Sequence, residues 1–87
     1  MILLVLCKEM SYQLSIAAEV KTLRKRAFLT QEEFAKVLRV SAITINRWEN
    51  DKSTPNLTAM KNIRAFCNEN GLPFSGIESE WLKDKEE

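Results

Sequence analysis

The sequence predicts an all-α protein of five helices, and three observations support that prediction. Apolar residues recur every three or four positions through most of the chain, which is the period of an amphipathic helix. The 87 residues include two glycines and two prolines, with 45% hydrophobic content, which suits one small helical domain. Helix-capping residues precede several of the periodic segments. A chain this short buries only roughly 60% of its unfolded surface, so we expect a second subunit to add stability.

The first helix is predicted from Ser15 to about Phe28. No glycine marks its C-terminus, so this boundary is predicted only to within a few residues. Its apolar positions fall at i, i+4, i+7 and i+11 on one face. They are Ile16, Val20, Leu23 and Ala27.

The second helix is predicted from its N-terminal capping residues. Thr30 and Glu33 form a T-x-x-E capping box, which begins the helix at Gln31 and carries it to about Leu38. One face should then be buried. Its predicted members are Phe34, Val37 and Leu38.

The third helix is predicted to follow after a very short turn. Ser41 is a second N-cap after only two intervening residues, and so short a connection favours a sharp crossing over an antiparallel hairpin. Ile45 and Trp48, at i and i+3, should face the core. The stretch from Thr30 to Lys52 is therefore predicted to be a helix-turn-helix.

Two more helices complete the prediction. Residues 50–56 (NDKSTPN) form a loop by composition, and Pro55 prevents the third helix from continuing. The fourth helix should run from Leu57 to about Asn70, with Gly71 as a left-handed cap. We expect a single domain over residues 1–87, with a core at 14–72 and a C-terminal helix and charged tail at 73–87. The apolar positions of the last helix are Phe74, Ile77, Trp81 and Leu82.

Residues 1–12 form an N-terminal extension whose residues 2–7 (ILLVLC) are apolar. This segment is far shorter than the ~20 residues that span a bilayer and lacks the flanks of a signal peptide. We therefore expect a cytoplasmic protein without a membrane partner, in which the segment covers its own core or pairs with a second copy. Cys7 and Cys67 are far apart and no histidine is present, so no metal site and no cofactor are predicted.

The charge is distributed unevenly along the chain. Residues 20–64 carry ten Lys or Arg against four Asp or Glu, a net charge of +6, although the whole chain carries only +1. Residues 65–87 carry a net charge of −4. A basic centre suits a polyanion that docks on one face, and the alternative is a solvated surface on which charges cluster by chance.

Several motifs occur in order through the centre of the chain. They are LR at 23–24, LTQEEFA at 29–35, VS at 40–41, TINRWEN at 44–50 and Pro55. Together they resemble the phage-repressor and Cro-type helix-turn-helix family, also called the xenobiotic-response-element family, over residues 20–72. The resemblance implies a five-helix bundle of the lambda-repressor type, in which the third helix, at about 41–50, is the recognition helix.

The resemblance also implies which residues contact double-stranded DNA. Gln31 matches a phosphate-binding position, and a helix N-terminus with free N–H groups favours that role. Arg47 matches a base-facing position, where its planar fork can pair with guanine O6 and N7. Ala42 and Ile43 offer only apolar contact with thymine methyl groups. The full predicted set is Gln31, Ser41, Ala42, Ile43, Thr44, Asn46, Arg47, Lys52 and Ser53.

Structural alternatives remain for three of these positions and for Trp48. Arg47 is otherwise a solvated arginine, Gln31 an ordinary first-turn residue and Ile43 a member of the core. Trp48 is interpreted as core rather than as a platform for stacking bases.

Arg24 and Glu49 match positions that form a partly buried ion pair in the family, tying the first helix to the end of the third. The chain departs from the family pattern at Arg39 and Asp51, where glycine is frequent. Arg39 must then tolerate a strained backbone unless the turn differs. Asp51 places a negative charge near the expected phosphate path, which should weaken binding.

These observations predict a sequence-specific transcriptional regulator that binds DNA as a homodimer. The alternative is a protein-interaction module, such as the antitoxin partner of a toxin, that uses residues 2–7 or the face formed by Phe74, Ile77 and Trp81. An enzyme is not expected, and no catalytic residue is assigned. The sequence has no histidine, no metal-binding cluster, no glycine-rich phosphate loop and no nucleophile with an evident base.

Overall fold

Five helices make up the part of the chain that this computed structural model describes, residues 15–85. No strand occurs in that range, which confirms the predicted all-α fold and the number of helices. The apolar segment at residues 2–7, and Cys7 with it, lies outside the described residues. The helices are α1 (Ile16–Arg26), α2 (Gln31–Leu38), α3 (Ala42–Glu49), α4 (Leu57–Asn70) and α5 (Ser75–Lys85).

The first four helices each begin at a side chain that caps free backbone N–H groups. Ser15 caps α1 and Asn56 caps α4, each accepting a hydrogen bond from the residue three positions later. At the start of α2, Thr30 Oγ1 accepts from Glu33 N at 3.1 Å and Thr30 N donates to Glu33 Oε1 at 2.9 Å. The predicted capping box is therefore present. Ser41 caps α3 in the same way, so both helices of the motif start where the sequence indicates.

A single hydrophobic core receives side chains from all five helices. Within it, the rings of Phe34 and Phe66 meet edge to face with their centroids 5.4 Å apart. Cys67 is fully buried, and burial raises the pKa of its thiol. Other fully buried side chains are Val20, Leu38, Ile45, Ile63 and Ile77.

One predicted core position in α2 is wrong. Val37 is 47% exposed, whereas Ala35 is buried in the core. At about 100° per residue, both positions lie about 80° from the middle of the stripe that Phe34 and Leu38 define. Helical periodicity cannot distinguish the two sides, and the neighbouring helices cover only the side of Ala35.

The turns before and after α3 use left-handed backbone at residues other than glycine. Arg39 ends α2 with φ 63° and ψ 41°, and Asp51 follows α3 with φ 62°. Glycine is frequent at both positions in the family that the sequence resembles, and here Arg39 and Asp51 adopt the left-handed conformation at a cost in backbone strain. Phe28 also has a positive φ, 60°, and α1 accordingly ends at Arg26, two residues earlier than predicted.

Replacing Arg39 with glycine is expected to stabilise the protein by about 0.5–1 kcal/mol. Loss of Cβ relieves roughly 1–2 kcal/mol of left-handed strain, and the greater freedom of glycine in the unfolded chain returns roughly 0.5–1 kcal/mol of that gain. Urea unfolding measures the difference. The matched control is Arg39→Ala, which removes the charge but keeps Cβ. If backbone strain at this turn were negligible, the glycine variant would instead be less stable than the alanine variant by about 0.5–1 kcal/mol.

Helix α5 is attached to the loop that follows α3. The indole Nε1 of Trp81 donates to the backbone oxygen of Pro55 at 2.6 Å, and Pro55 is itself buried. Ile77, from the same helix, is 2% exposed and enters the core. The C-terminal helix thus holds in place the end of the loop that carries Lys52 and Ser53.

Candidate nucleic-acid interface

Helix α3 has a buried inner face and an exposed outer face. Ile45 and Trp48 are 0% and 3% exposed, and they fix the rotation of the helix about its axis. At about 100° per residue, Ile43 lies about 170° from the midpoint between these two side chains. We call the exposed side the outer face of α3. Its members are Ile43, Asn46, Arg47 and Asn50.

The structure does not bring every predicted base-contacting residue onto this outer face. Ala42 is half-buried and packs against the core, because it lies only about 60° from Ile45 around the helix. Thr44 is also half-buried, and its Oγ1 lies 2.9 Å from the hydroxyl of Ser41. Ile43 is 73% exposed, which excludes the alternative that it belongs to the core.

A hydrogen-bonded network ties the end of α3 to α1 and α2. Arg24 donates from Nε to Glu49 Oε2 at 2.7 Å and from Nη2 to Glu49 Oε1 at 3.0 Å. Its Nη1 also donates to the backbone oxygen of Leu29 at 3.0 Å. The side chain of Glu49 is 1% exposed and that of Arg24 is 14% exposed. This bidentate pair therefore fixes where α3 ends relative to α1.

The electrostatics of this pair favour the charged forms of both side chains. Burial by itself would raise the pKa of Glu49. The hydrogen bonds from Arg24 and Gln31 and the charge of Arg24 outweigh burial, so the pKa of this carboxyl lies below its usual range. The hydrogen bond with Glu49 likewise raises the pKa of Arg24. Glu49 is thus ionised but compensated, and it adds no uncompensated negative charge beside the outer face.

Gln31 joins the same network from the first turn of α2. Its Nε2 donates to Glu49 Oε1 at 3.1 Å, and its Oε1 accepts from Asn46 Nδ2 at 3.4 Å. Two hydrogen bonds therefore orient the Gln31 amide, one to Glu49 and one from Asn46 on the outer face. The Gln31 amide nitrogen carries two N–H groups, and one of them donates to Glu49. The N-terminus of α2 consequently lies beside the middle of α3.

Arg47 and the following loop are close to each other. The backbone N–H of Lys52 donates to the Arg47 carbonyl at 2.9 Å, and Arg47 Nη2 lies 3.4 Å from the Lys52 carbonyl. Arg47 and Lys52 are exposed, whereas Ser53 is half-buried. Asp51 is exposed between them at a left-handed turn. Two cations and one carboxylate therefore share this end of the motif.

Two exposed residues near the motif were not singled out in the sequence. Asn50 lies on the outer face and donates from Nδ2 to the backbone oxygen of Asn46 at 2.8 Å. Helical spacing of four from Asn46 indicates this position, although the composition of residues 50–56 predicts a loop. Phe28 is 92% exposed in the turn before α2, and no periodicity reveals it because it lies outside a helix.

Comparison with known families identifies the class of this fold. A family model described as helix-turn-helix matches residues 20–71, and the chain therefore belongs to the Cro/CI-type helix-turn-helix family. The resemblance drawn from the sequence is confirmed. Searches of curated proteins and of solved structures returned no match.

Family membership defines the broad activity. The family is one of DNA-binding regulatory domains rather than of enzymes, and the protein is a DNA-binding regulator. Among residues 15–85, no helix combines the length and apolarity needed to cross a bilayer. The same residues contain no cluster of three or more side chains suited to a metal ion.

Proposed function

We propose that the protein is a sequence-specific regulator of transcription that binds double-stranded DNA with α3 in the major groove. The separation of the two faces of α3 carries this proposal. Ile45 and Trp48 hold the helix to the core and leave Ile43, Asn46 and Arg47 exposed. In helix-turn-helix proteins the second helix of the motif lies in the major groove and contacts base edges.

Contacts to the DNA backbone are proposed for residues around the edges of this face. Gln31 and Ser41 lie at the starts of α2 and α3, where free N–H groups attract a phosphate. Lys52 and Ser53 lie in the loop beyond α3 and would reach a phosphate on the other side. Such contacts fix the register of the protein on the duplex, while base contacts supply the specificity. Because DNA is the target, we place the protein in the cytoplasm.

We further propose that the protein binds as a homodimer on a palindromic site, with its two recognition helices about 34 Å apart. A groove of about 190 Å³ between α4 and α5 supports this. Its exposed apolar edges are Leu57, 59% exposed, and Leu82, 48% exposed. A two-fold contact there would set the basic rim of one copy against the acidic rim of the other. The rim residues are Lys61 and Arg64 on α4 and Glu78 on α5.

The same groove is the observation that favours the alternative function, a protein-interaction module such as an antitoxin. The face expected from the sequence is smaller than predicted, because Ile77 is buried in the core. Phe74 and Trp81 remain partly accessible in the groove, beside Leu57 and Leu82. A toxin or another regulator would then occupy the surface that we assign to a second copy.

The proposal is tested by selecting duplexes from random DNA with the purified protein and measuring affinity over a range of salt concentrations. We expect the logarithm of the affinity to fall linearly with the logarithm of the salt concentration, by about 0.9 for each phosphate neutralised. The mass of the complex in solution should correspond to two chains per duplex. A protein that retains no DNA even at low salt would favour the interaction module instead.

A further inference from the structure

Ile43 is an exposed aliphatic residue that the fold does not explain. Its side chain is 73% exposed, at the second position of α3, opposite the buried Ile45 and Trp48. It adds nothing to the core. A β-branched residue is also a weaker helix former than alanine, so helix propensity does not account for it.

The polar side chains nearest to Ile43 along α3 already have partners within the protein. The hydroxyl of Ser41 accepts from Thr44 N at 3.1 Å and lies 2.9 Å from the hydroxyl of Thr44. Asn46 donates to Gln31, and Asn50 donates to the Asn46 backbone. Ile43 is therefore the aliphatic group that the outer face presents near the start of α3, while Arg47 supplies a charged group one turn later.

The major groove offers little for an aliphatic side chain to contact. The C5-methyl group of thymine is the apolar group displayed there, among donors and acceptors that the other base edges present. A cytosine methylated at C5 carries its methyl group at the same ring position. A residue without donors or acceptors can therefore distinguish a C5-methylated pyrimidine from an unmethylated one, largely independently of the pairing partner.

We propose that Ile43 reads the C5-methyl group of one pyrimidine in each half-site, which makes binding sensitive to the methylation of that base. This inference rests on the proposed DNA-binding function. Ile43 determines specificity through apolar contact, and Arg47 reads a neighbouring base pair through hydrogen bonds. A 5-methylcytosine at this position would offer Ile43 the same methyl group as thymine. Methylation of the DNA would then regulate how much of the site is occupied.

The test uses a duplex selected from random DNA by the full-length protein. Each thymine is replaced in turn by uracil, which removes only the methyl group and keeps the base pair. We expect one position per half-site at which this substitution weakens binding about fourfold. That is the loss of affinity expected when one buried methyl group is removed. At that position, a 5-methylcytosine pair should bind more tightly than a cytosine pair.

Two variants assign the effect to this side chain. Ile43→Ala should bind the thymine and uracil duplexes equally, and its exposed position leaves the fold intact. The matched control is Val37→Ala, because Val37 is another exposed aliphatic residue, 47% accessible, that lies on α2 away from the outer face. This control should keep the full response to uracil.

The outcomes separate this inference from the proposed function. If the protein selects a duplex but no replacement of thymine by uracil changes the affinity, the proposed methyl contact is wrong. The DNA-binding function would still stand. A uracil effect that persists unchanged in Ile43→Ala would assign the methyl contact to another residue and overturn the role of Ile43. Failure to select any duplex would overturn both.

Discussion

Replacing Arg24 with methionine is expected to destabilise the protein by roughly 3–5 kcal/mol. Methionine keeps much of the aliphatic stem but leaves the Glu49 carboxylate buried, with Gln31 as its remaining hydrogen-bond donor. Small domains have only about 5–15 kcal/mol of total stability, so this is a large share. Urea unfolding followed by circular dichroism measures the loss. We expect the midpoint to fall sharply, and the variant to be partly unfolded at 37 °C.

The matched control is a surface ion pair in the same protein. Lys83 and Glu80 are 3.2 Å apart, and the lysine side chain is 69% exposed. Solvent and salt screen such a pair, so Lys83→Met should cost no more than about 0.5 kcal/mol. Comparable losses in the two variants would contradict the view that burial gives the Arg24–Glu49 pair its importance.

The same ion pair makes a contribution that depends on pH. The pKa of Glu49 is lower in the folded protein than in the unfolded chain, so folding favours the ionised carboxylate. This contribution is fully present above the unfolded value of about 4.3 and is lost as the pH falls towards the folded pKa. Glu49→Gln removes the titrating group. Its stability should therefore change less between neutral pH and about pH 3 than that of the wild type, as measured by urea unfolding at each pH.

Replacing Arg47 with alanine is expected to abolish discrimination at one base pair of the binding site. A bidentate contact with guanine is worth about 1–3 kcal/mol against the wrong base, or roughly fivefold to 150-fold in affinity. The fold should be unaffected, because Arg47 is exposed and its nearest partner is the Lys52 carbonyl at 3.4 Å. Fluorescence anisotropy with duplexes that vary one base pair at a time measures the change.

Lys52→Ala provides the comparison for this result. A lysine that contacts only phosphate should weaken binding to all duplexes equally and lower the salt dependence by about one unit. Arg47→Ala should instead flatten the preference at a single position. If the wild type and Arg47→Ala rank all the duplexes in the same order, Arg47 does not read a base.

Most of the helix boundaries were predictable because their determinants are local. Thr30, Ser41 and Gly71 mark ends of helices by chemistry that acts within one turn, and the structure places α2, α3 and α4 within those limits. The end of α1 was not predictable to the residue. Phe28 adopts there a left-handed conformation that usually indicates glycine.

The arrangement of the candidate site was less predictable because it depends on how helices cross. Gln31 contacts Glu49, 18 positions later, and Asn46, 15 positions later. Local spacing cannot show that its amide lies between these two side chains. Ala42 differs for a similar reason, because the rotation of α3 that turns it towards the core is set by the packing of Ile45 and Trp48.

The separation of the two faces of α3 has a consequence for how this protein can evolve. The inner face and the Arg24–Glu49 pair stabilise the fold. Ile43, Arg47 and their exposed neighbours contribute little to that stability. Surface substitutions usually change stability by no more than about 0.5 kcal/mol. Under the proposed function, a lineage can therefore exchange one DNA target for another through a few substitutions on one side of α3. In that case the eight residues of α3 include some that stabilise the fold and others that select the DNA target, and the two sets can change independently.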